Sequence, residues 1–318
     1  MWKVMRGILL LSWLALVGFG VKGCLLQQGS MVHVRDVIMH IPLHIQLPGP
    51  LSQDKLARID TLIADLFGQI DTIYNPWNLD SEISRINLAP AWTPLLLSEP
   101  LAHFLVEVQK LVTLTDGRFD PTIAPVHQVW LQALNEGHMP DTTTLEAVMP
   151  AVGWHHICLT GRLLYKTHPK TAIDLCGIVK GFAVDELVLA LEHLGYRNLY
   201  VDWGGEIAVR GHHPSGRPWR IKLETTTIDL EPHDMAVATS GTCHQQWIVD
   251  DRAFSHIVHP HTLTPLMSTT ILSASVLSSR CMTADALATT LMLFDTPDHA
   301  SRWFDTHITE GQAWVVAR

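Results

Sequence analysis

The chain has 318 residues, 47% hydrophobic and 17% charged, which supplies a sizeable core and leaves too little polarity for a disordered or collagen-like protein. Its formal charge is -9, and without residues 1–23, which hold three of the 22 cations and no acid, it falls to -12. No basic patch would draw it to a phosphate backbone, so nucleic acid is not an expected partner; 19 histidines keep metal and acid-base chemistry open.

The start of the chain carries Lys3 and Arg6, then an apolar run from Gly7 to Val21, then Lys22-Gly23-Cys24. That is the layout of a bacterial secretory signal, and about fifteen apolar residues are short for a membrane span. Gly23-Cys24 resembles a lipoprotein processing site, which makes 1–23 a signal peptide and Cys24 the acylated first residue of a mature domain spanning 24–318. The anchor would hold that domain at the inner membrane on its periplasmic side. An uncleaved anchor or a simply cleaved signal would export the domain equally. The other cysteines, Cys158, Cys176, Cys243 and Cys281, form no C-x-x-C pair and read as thiols of a chain large enough not to need staples.

From Leu51 to Ile73 the apolar residues Leu56, Ile59, Leu62, Ile63, Leu66, Phe67 and Ile70 recur at steps of three and four, which predicts a long amphipathic helix. Ser98 to Thr115 repeats the pattern, with Ser98 as cap and Gly117 as stop. Between them, 75–87 reads as a loop with a short helical turn. After residue 150 come short β-rich runs: 157–159, 163–166, 198–202, 206–210, 219–223, 235–239, 269–276 and 313–316. Helices over 178–194 and 282–294 interrupt them. Mixed order without regular βαβ alternation predicts an α+β fold with largely antiparallel sheet and packed helices.

Four places could carry chemistry. Asp174-Leu-Cys-Gly-Ile-Val-Lys180 reads as a strand end, a glycine and a helix start. Gly177 admits close backbone approach, while the free N–H groups and Lys180 favour an anion such as phosphate; a plain connection with a solvated lysine is the other reading. Asp285 and Thr289, spaced i,i+4, put two oxygens on one helix face, as a hard-cation site or simply as dipole pairing and packing. His256, His259 and His261 offer either one functional histidine or a zinc site; strand alternation sets His256 and His259 on opposite faces. Trp77, in a loop without apolar period, could stack on a planar ligand or cover the core edge.

In order along the chain, Ser81–Asn87 (S-E-I-S-R-I-N), Gly117–Thr122 (G-R-F-D-P-T), Asp174–Asp185, Val201–Ile207 with its paired glycines, Ala238–Gly241 (A-T-S-G), His256–Thr262 and Ala284–Thr289 (A-D-A-L-A-T) resemble the blocks of the bacterial FAD:protein FMN transferase family. Departures from the family pattern are Met39-His40-Ile41 for M-G-T, Cys176 for glycine, His259 for aspartate and Leu263 for glycine. The resemblance implies FAD held between two interleaved halves of an α+β fold, its isoalloxazine near Met39 and Trp77. It implies Arg118, Phe119, Asp120 and Asp174 on the nucleotide, Lys180 on the phosphates, and Mg2+ held by Asp285, Thr289 and the Gly177 carbonyl. The implied reaction is transfer of FMN to a Thr or Ser hydroxyl of a partner protein with release of AMP, His256 serving as base. Implied partners are flavin-acceptor subunits of membrane redox pumps. Water as the acceptor would make an FAD pyrophosphatase instead, and a flavin-binding or zinc-binding lipoprotein without chemistry is the remaining reading.

Overall fold

The structure, a computed structural model, describes residues 24–28, 30–223, 226, 228–242, 245–267 and 270–318. The expected signal peptide and Cys243 lie outside the described residues. Three antiparallel strands open the fold, β1 (Cys24–Gln28), β2 (Met31–Ile38) and β3 (Ile41–Pro48). Alternation turns Val32, Val34, Leu43, Ile45 and Leu47 inward, where all are buried. No element before Leu51 was expected from the sequence. The β2–β3 turn is the two-residue type that needs positive φ twice, and Met39 (φ 53°) and His40 (φ 64°) supply it without the Asn-Gly pair that usually marks it.

Next come α1 (Gln53–Gln69), α2 (Glu82–Leu88), β4 (Leu95–Leu96), α3 (Glu99–Leu114), α4 (Ala124–Glu136) and α5 (Thr142–Glu146). Ser52, Ser81, Ser98 and Asp141 cap four of these helices, each side chain accepting a first-turn N–H. β5 (Ile157–Thr160), β6 (Leu163–Lys166), α6 (Val179–His193), β7 (Leu199–Trp203), β8 (Glu206–Arg210), β9 (Ile221–Lys222) and β10 (Asp229–Leu230) follow. The chain closes with β11 (Ala236–Gly241), β12 (Gln246–Val249), β13 (Arg252–His259), β14 (Thr264–Met267), β15 (Ile271–Ser278), α7 (Cys281–Leu291), α8 (Pro297–His307) and β16 (Gln312–Ala317).

Eight strands form the main sheet in the order β1-β2-β3-β7-β8-β11-β15-β16. Every pairing described is antiparallel. Because β3 pairs with β7, the chain's two ends are threaded into one sheet and its halves interleave. α1, α3 and α6 cover the inner face of β2, β3 and β7 in one apolar cluster, and α7 with α8 covers β11 and β15 in a second. A separate sheet, β12-β13-β14, packs Val249, Phe254 and Val258 against Val126, Trp130 and Leu134 of α4. The expected strand into Gly177 is instead irregular extended chain, because Asn87 takes both backbone groups of Ile173: its Nδ2 donates to Ile173 O (2.9 Å) and its Oδ1 accepts Ile173 N–H (2.7 Å).

One close approach places the site. A Cβ on Gly181, in the first turn of α6, would lie 2.4 Å from Cys281 O, so glycine alone lets α7 begin against α6. Asp185 then fixes α7's orientation, accepting the N–H groups of Cys281 (2.8 Å) and Met282 (2.9 Å).

Candidate active site

The start of α6, the start of α7 and the β7–β8 turn converge on a polar pole. Asp285, 4% exposed, accepts the Gly181 N–H on Oδ2 at 3.0 Å, so the backbone that approaches α7 also holds its carboxylate. Lys180, one residue earlier, places Nζ 2.6 Å from Oε2 of Glu206, itself 2% exposed. Thr289, one turn beyond Asp285, shares a hydroxyl contact of 3.0 Å with Ser240 at the end of β11. Gly177 closes the group: a Cβ there would lie 3.7 Å from Thr289 Oγ1 and 3.5 Å from the Phe119 ring. The i,i+4 pair and the glycine-lysine segment, separate in the sequence, thus occupy one place.

Its electrostatics follow from two buried carboxylates sharing one ammonium. Burial and the neighbouring Asp285 charge push Glu206 up to about 8, with Lys180 working in the opposite direction. Burial also raises Asp285. For Lys180, burial favours the neutral amine, but Glu206 and Asp285 outweigh it and hold the ammonium above its ordinary range. A further positive charge would relieve this excess of acid.

The donors suit a particular ion. Asp285 lies one helical turn from Thr289, and Gly177 brings its backbone alongside the Thr289 hydroxyl with no side chain between; oxygen donors of this kind fit Mg2+. Among the described residues, no three His, Cys, Asp or Glu side chains are grouped to hold a metal ion. His261 instead hydrogen-bonds the Asp116 carbonyl (3.2 Å) through Nε2, and its N–H donates to His259 Nδ1 (3.1 Å).

The loop after α1 presents Trp77 as a platform. Asp71 accepts Asn75 Nδ2 (2.7 Å) and Asn78 Nδ2 (2.9 Å), and Ser84 donates to Pro76 O (3.2 Å), so the loop is pinned at three points while Trp77 stays 55% exposed. Met39 sits at the β2–β3 tip, which meets the β7–β8 turn through Gly204 N–H to Pro42 O (3.0 Å). The hairpin tip and Glu206 are therefore neighbours.

Of the residues set on the nucleotide by resemblance, Asp174 is half-buried and accepts Cys176 N–H at 2.9 Å. Arg118 lies over the Phe294 ring, 4.7 Å from its centroid. Asp120 is 8% exposed; Oδ1 accepts the N–H (2.8 Å) and hydroxyl (2.6 Å) of Thr122, and Oδ2 accepts Trp154 N–H (3.1 Å). That carboxylate braces the turn into α4 against Trp154. Phe119 is likewise buried, its ring lining the Gly177 backbone. His256 is half-buried in the middle of β13, next to Ile257, which packs in the α7 cluster. Cys158, Cys176 and Cys281 are free thiols. Sequence reasoning gave no role to Glu206, Ser240 or His127; only the paired glycines before Glu206 hinted at a tight turn aimed at the site.

A family model described as the ApbE family matches residues 39–313. The chain belongs to the ApbE family. It is 43% identical over 273 residues to the FAD:protein FMN transferase of Chlamydia pneumoniae, covering 85% of this chain and 87% of that one. The Chlamydia trachomatis protein of the same name is 40% identical over 294 residues, with 91% and 92% covered. A solved structure of the flavin transferase ApbE from Vibrio cholerae superposes with a TM-score of 0.76 at 27% identity, over 90% of this chain and 96% of the other. The apo flavinyl transferase of Pseudomonas stutzeri shares the fold, with a TM-score of 0.81 over 91% of each chain at 23% identity.

Proposed function

We propose that this ApbE-family chain transfers the FMN moiety of FAD to a Thr or Ser hydroxyl of an acceptor protein, releasing AMP. The observation that carries the reading is the convergence of Lys180, Asp285, Thr289 and Gly177 at the start of α6. A phosphoanhydride needs this combination: a cation for its oxygens and hard oxygen ligands for a divalent ion. Magnesium held by Asp285, Thr289 and the Gly177 carbonyl would supply charge neutralisation at the phosphoryl oxygens.

The chain's own residues do the rest. Trp77 stacks on the isoalloxazine and Met39 borders it, Asp174 and Arg118 orient the nucleotide, and Lys180 binds the phosphates. The acceptor hydroxyl forms a bond to the FMN phosphorus, its proton passes to His256, and the bond to the bridging oxygen breaks with AMP as leaving group. The family resemblance supports His256 in this role. Its acceptors would be flavin-carrying subunits of membrane redox pumps. Acylated Cys24 would tether the chain at the periplasmic face of the inner membrane; Cys24 opens β1, so the tether would join directly to an edge strand of the main sheet.

The test is an assay with FAD, magnesium and a purified acceptor, following AMP and acceptor mass together. Stoichiometric AMP and modified acceptor are expected. AMP and FMN formed at the same rate with or without acceptor would make the chain a pyrophosphatase instead.

A further inference from the structure

Asp174 is a carboxylate that the family resemblance sets on the nucleotide, and its geometry is set from α4. His127, on the first turn of α4, places Nδ1 3.5 Å from Asp174 Oδ2; the side chains are 23% and 19% exposed. Oδ1 of the same carboxylate accepts Cys176 N–H (2.9 Å), and Asp174 N–H donates to Pro121 O (2.8 Å). The Cys176 thiol also meets this carboxylate, and the backbone beneath is tied to the segment that starts α4.

His127 has the form of a donor held for one purpose. Its Nε2 is buried and has no hydrogen-bond partner among the described residues. A buried N–H without a partner is costly, so the ring keeps its proton on Nδ1, directed at Asp174. We propose that His127 is a positioning residue: it fixes the Asp174 carboxylate so that a donor group of FAD, a hydroxyl or an amine, meets an acceptor already aligned. The inference rests on the FAD-dependent reading above. It adds a residue outside every block that carried the family resemblance.

FAD binding to the full chain, followed by flavin fluorescence, tests it separately from turnover. His127→Leu should weaken FAD about tenfold, the scale of a misaligned charged hydrogen bond, while kcat changes less than twofold. His127→Asn should recover most of that affinity, because its amide nitrogen can stand where Nδ1 does. In an Asp174→Asn background, His127→Leu should add almost nothing, since residues acting through one another are not additive. Equal weakening by Leu and Asn, or a full Leu effect persisting without the Asp174 charge, would overturn the proposal. So would unchanged affinity in a folded His127→Leu protein. If that variant does not fold, His127→Phe, a ring of similar size without a donor, takes its place, with the same tenfold loss expected and the same outcomes overturning the proposal. Failure of the wild-type protein to bind FAD would instead remove the functional reading itself.

Discussion

Lys180 and Trp77 hold opposite ends of the proposed substrate, so their losses should read differently. Lys180→Ala removes a phosphate partner and should weaken FAD but not riboflavin; Trp77→Ala should weaken both, by about 1 kcal/mol for a stacking contact. Competition titrations with the two flavins check this, and equal loss of FAD and riboflavin in the lysine variant would contradict the phosphate assignment. Asp285→Ala should abolish AMP formation. Its structural cost should be only about 1 kcal/mol, since one backbone N–H, that of Gly181, loses its acceptor. Thr289→Ala should do less, because water can replace a neutral ligand, leaving Ser240 without its hydroxyl contact. Full activity in excess chelator would contradict both. At this scale the sequence showed Asp285, Thr289, Gly177 and Lys180, since each sits in a local pattern with its own chemistry. It could not show Glu206 or His127, whose meaning lies in a partner far along the chain: Lys180 for one, Asp174 for the other.

Helix α7 is the element on which the pole depends, and its placement rests on Gly181 and Asp185. Gly181→Ala would drive a Cβ to 2.4 Å from Cys281 O, which is backbone and cannot swing aside. Overpacking of this kind costs about 1–3 kcal/mol; the thermal midpoint should fall, and AMP formation should fall more than tenfold because Asp285 moves with α7. Retained midpoint and activity would show that α6 and α7 are not locked. The β2–β3 hairpin has its own signature. His33 Nδ1 and His44 Nε2 lie 3.1 Å apart, and burial, with help from Arg35 and His33, lowers His44 from 6.5 to about 4. A histidine lowered on folding gives stability that is complete above pH 6.5 and lost as pH falls toward 4. Melting curves across that window should show a steeper acid loss in wild type than in His44→Gln. The amphipathic helices α1 and α3 were legible to within a few residues, with the Ser98 cap of α3, because a 3.6-residue period is a local property. The hairpin was not: its turn uses Met39 and His40 at positive φ, which no local preference announces. Nor was α4, whose first turn holds Pro125.

For the whole molecule, the class α+β with antiparallel sheet followed from the mixed order of elements, whereas the strand order β3-β7 and β11-β15-β16 did not. The β3–β7 pairing joins residues more than 150 positions apart, as in Leu43 with Trp203, and the other two join residues more than 30 apart, as in Gly241 with Ser273, so no local window of sequence holds both partners. Location is a property of this scale too: Cys24→Ser should move the protein from membrane to soluble fractions, and a soluble wild-type chain with unmodified Cys24 would contradict anchoring. The central claim is that one pole at the start of α6 passes FMN from FAD to another protein. The most direct measurement is mass spectrometry of an acceptor subunit incubated with FAD, magnesium and this enzyme. The account predicts one FMN on a single Thr or Ser, matched by AMP and absent with Asp285→Ala. An acceptor that stays unmodified while FAD is consumed, or that is modified equally by the Asp285→Ala protein, would contradict it.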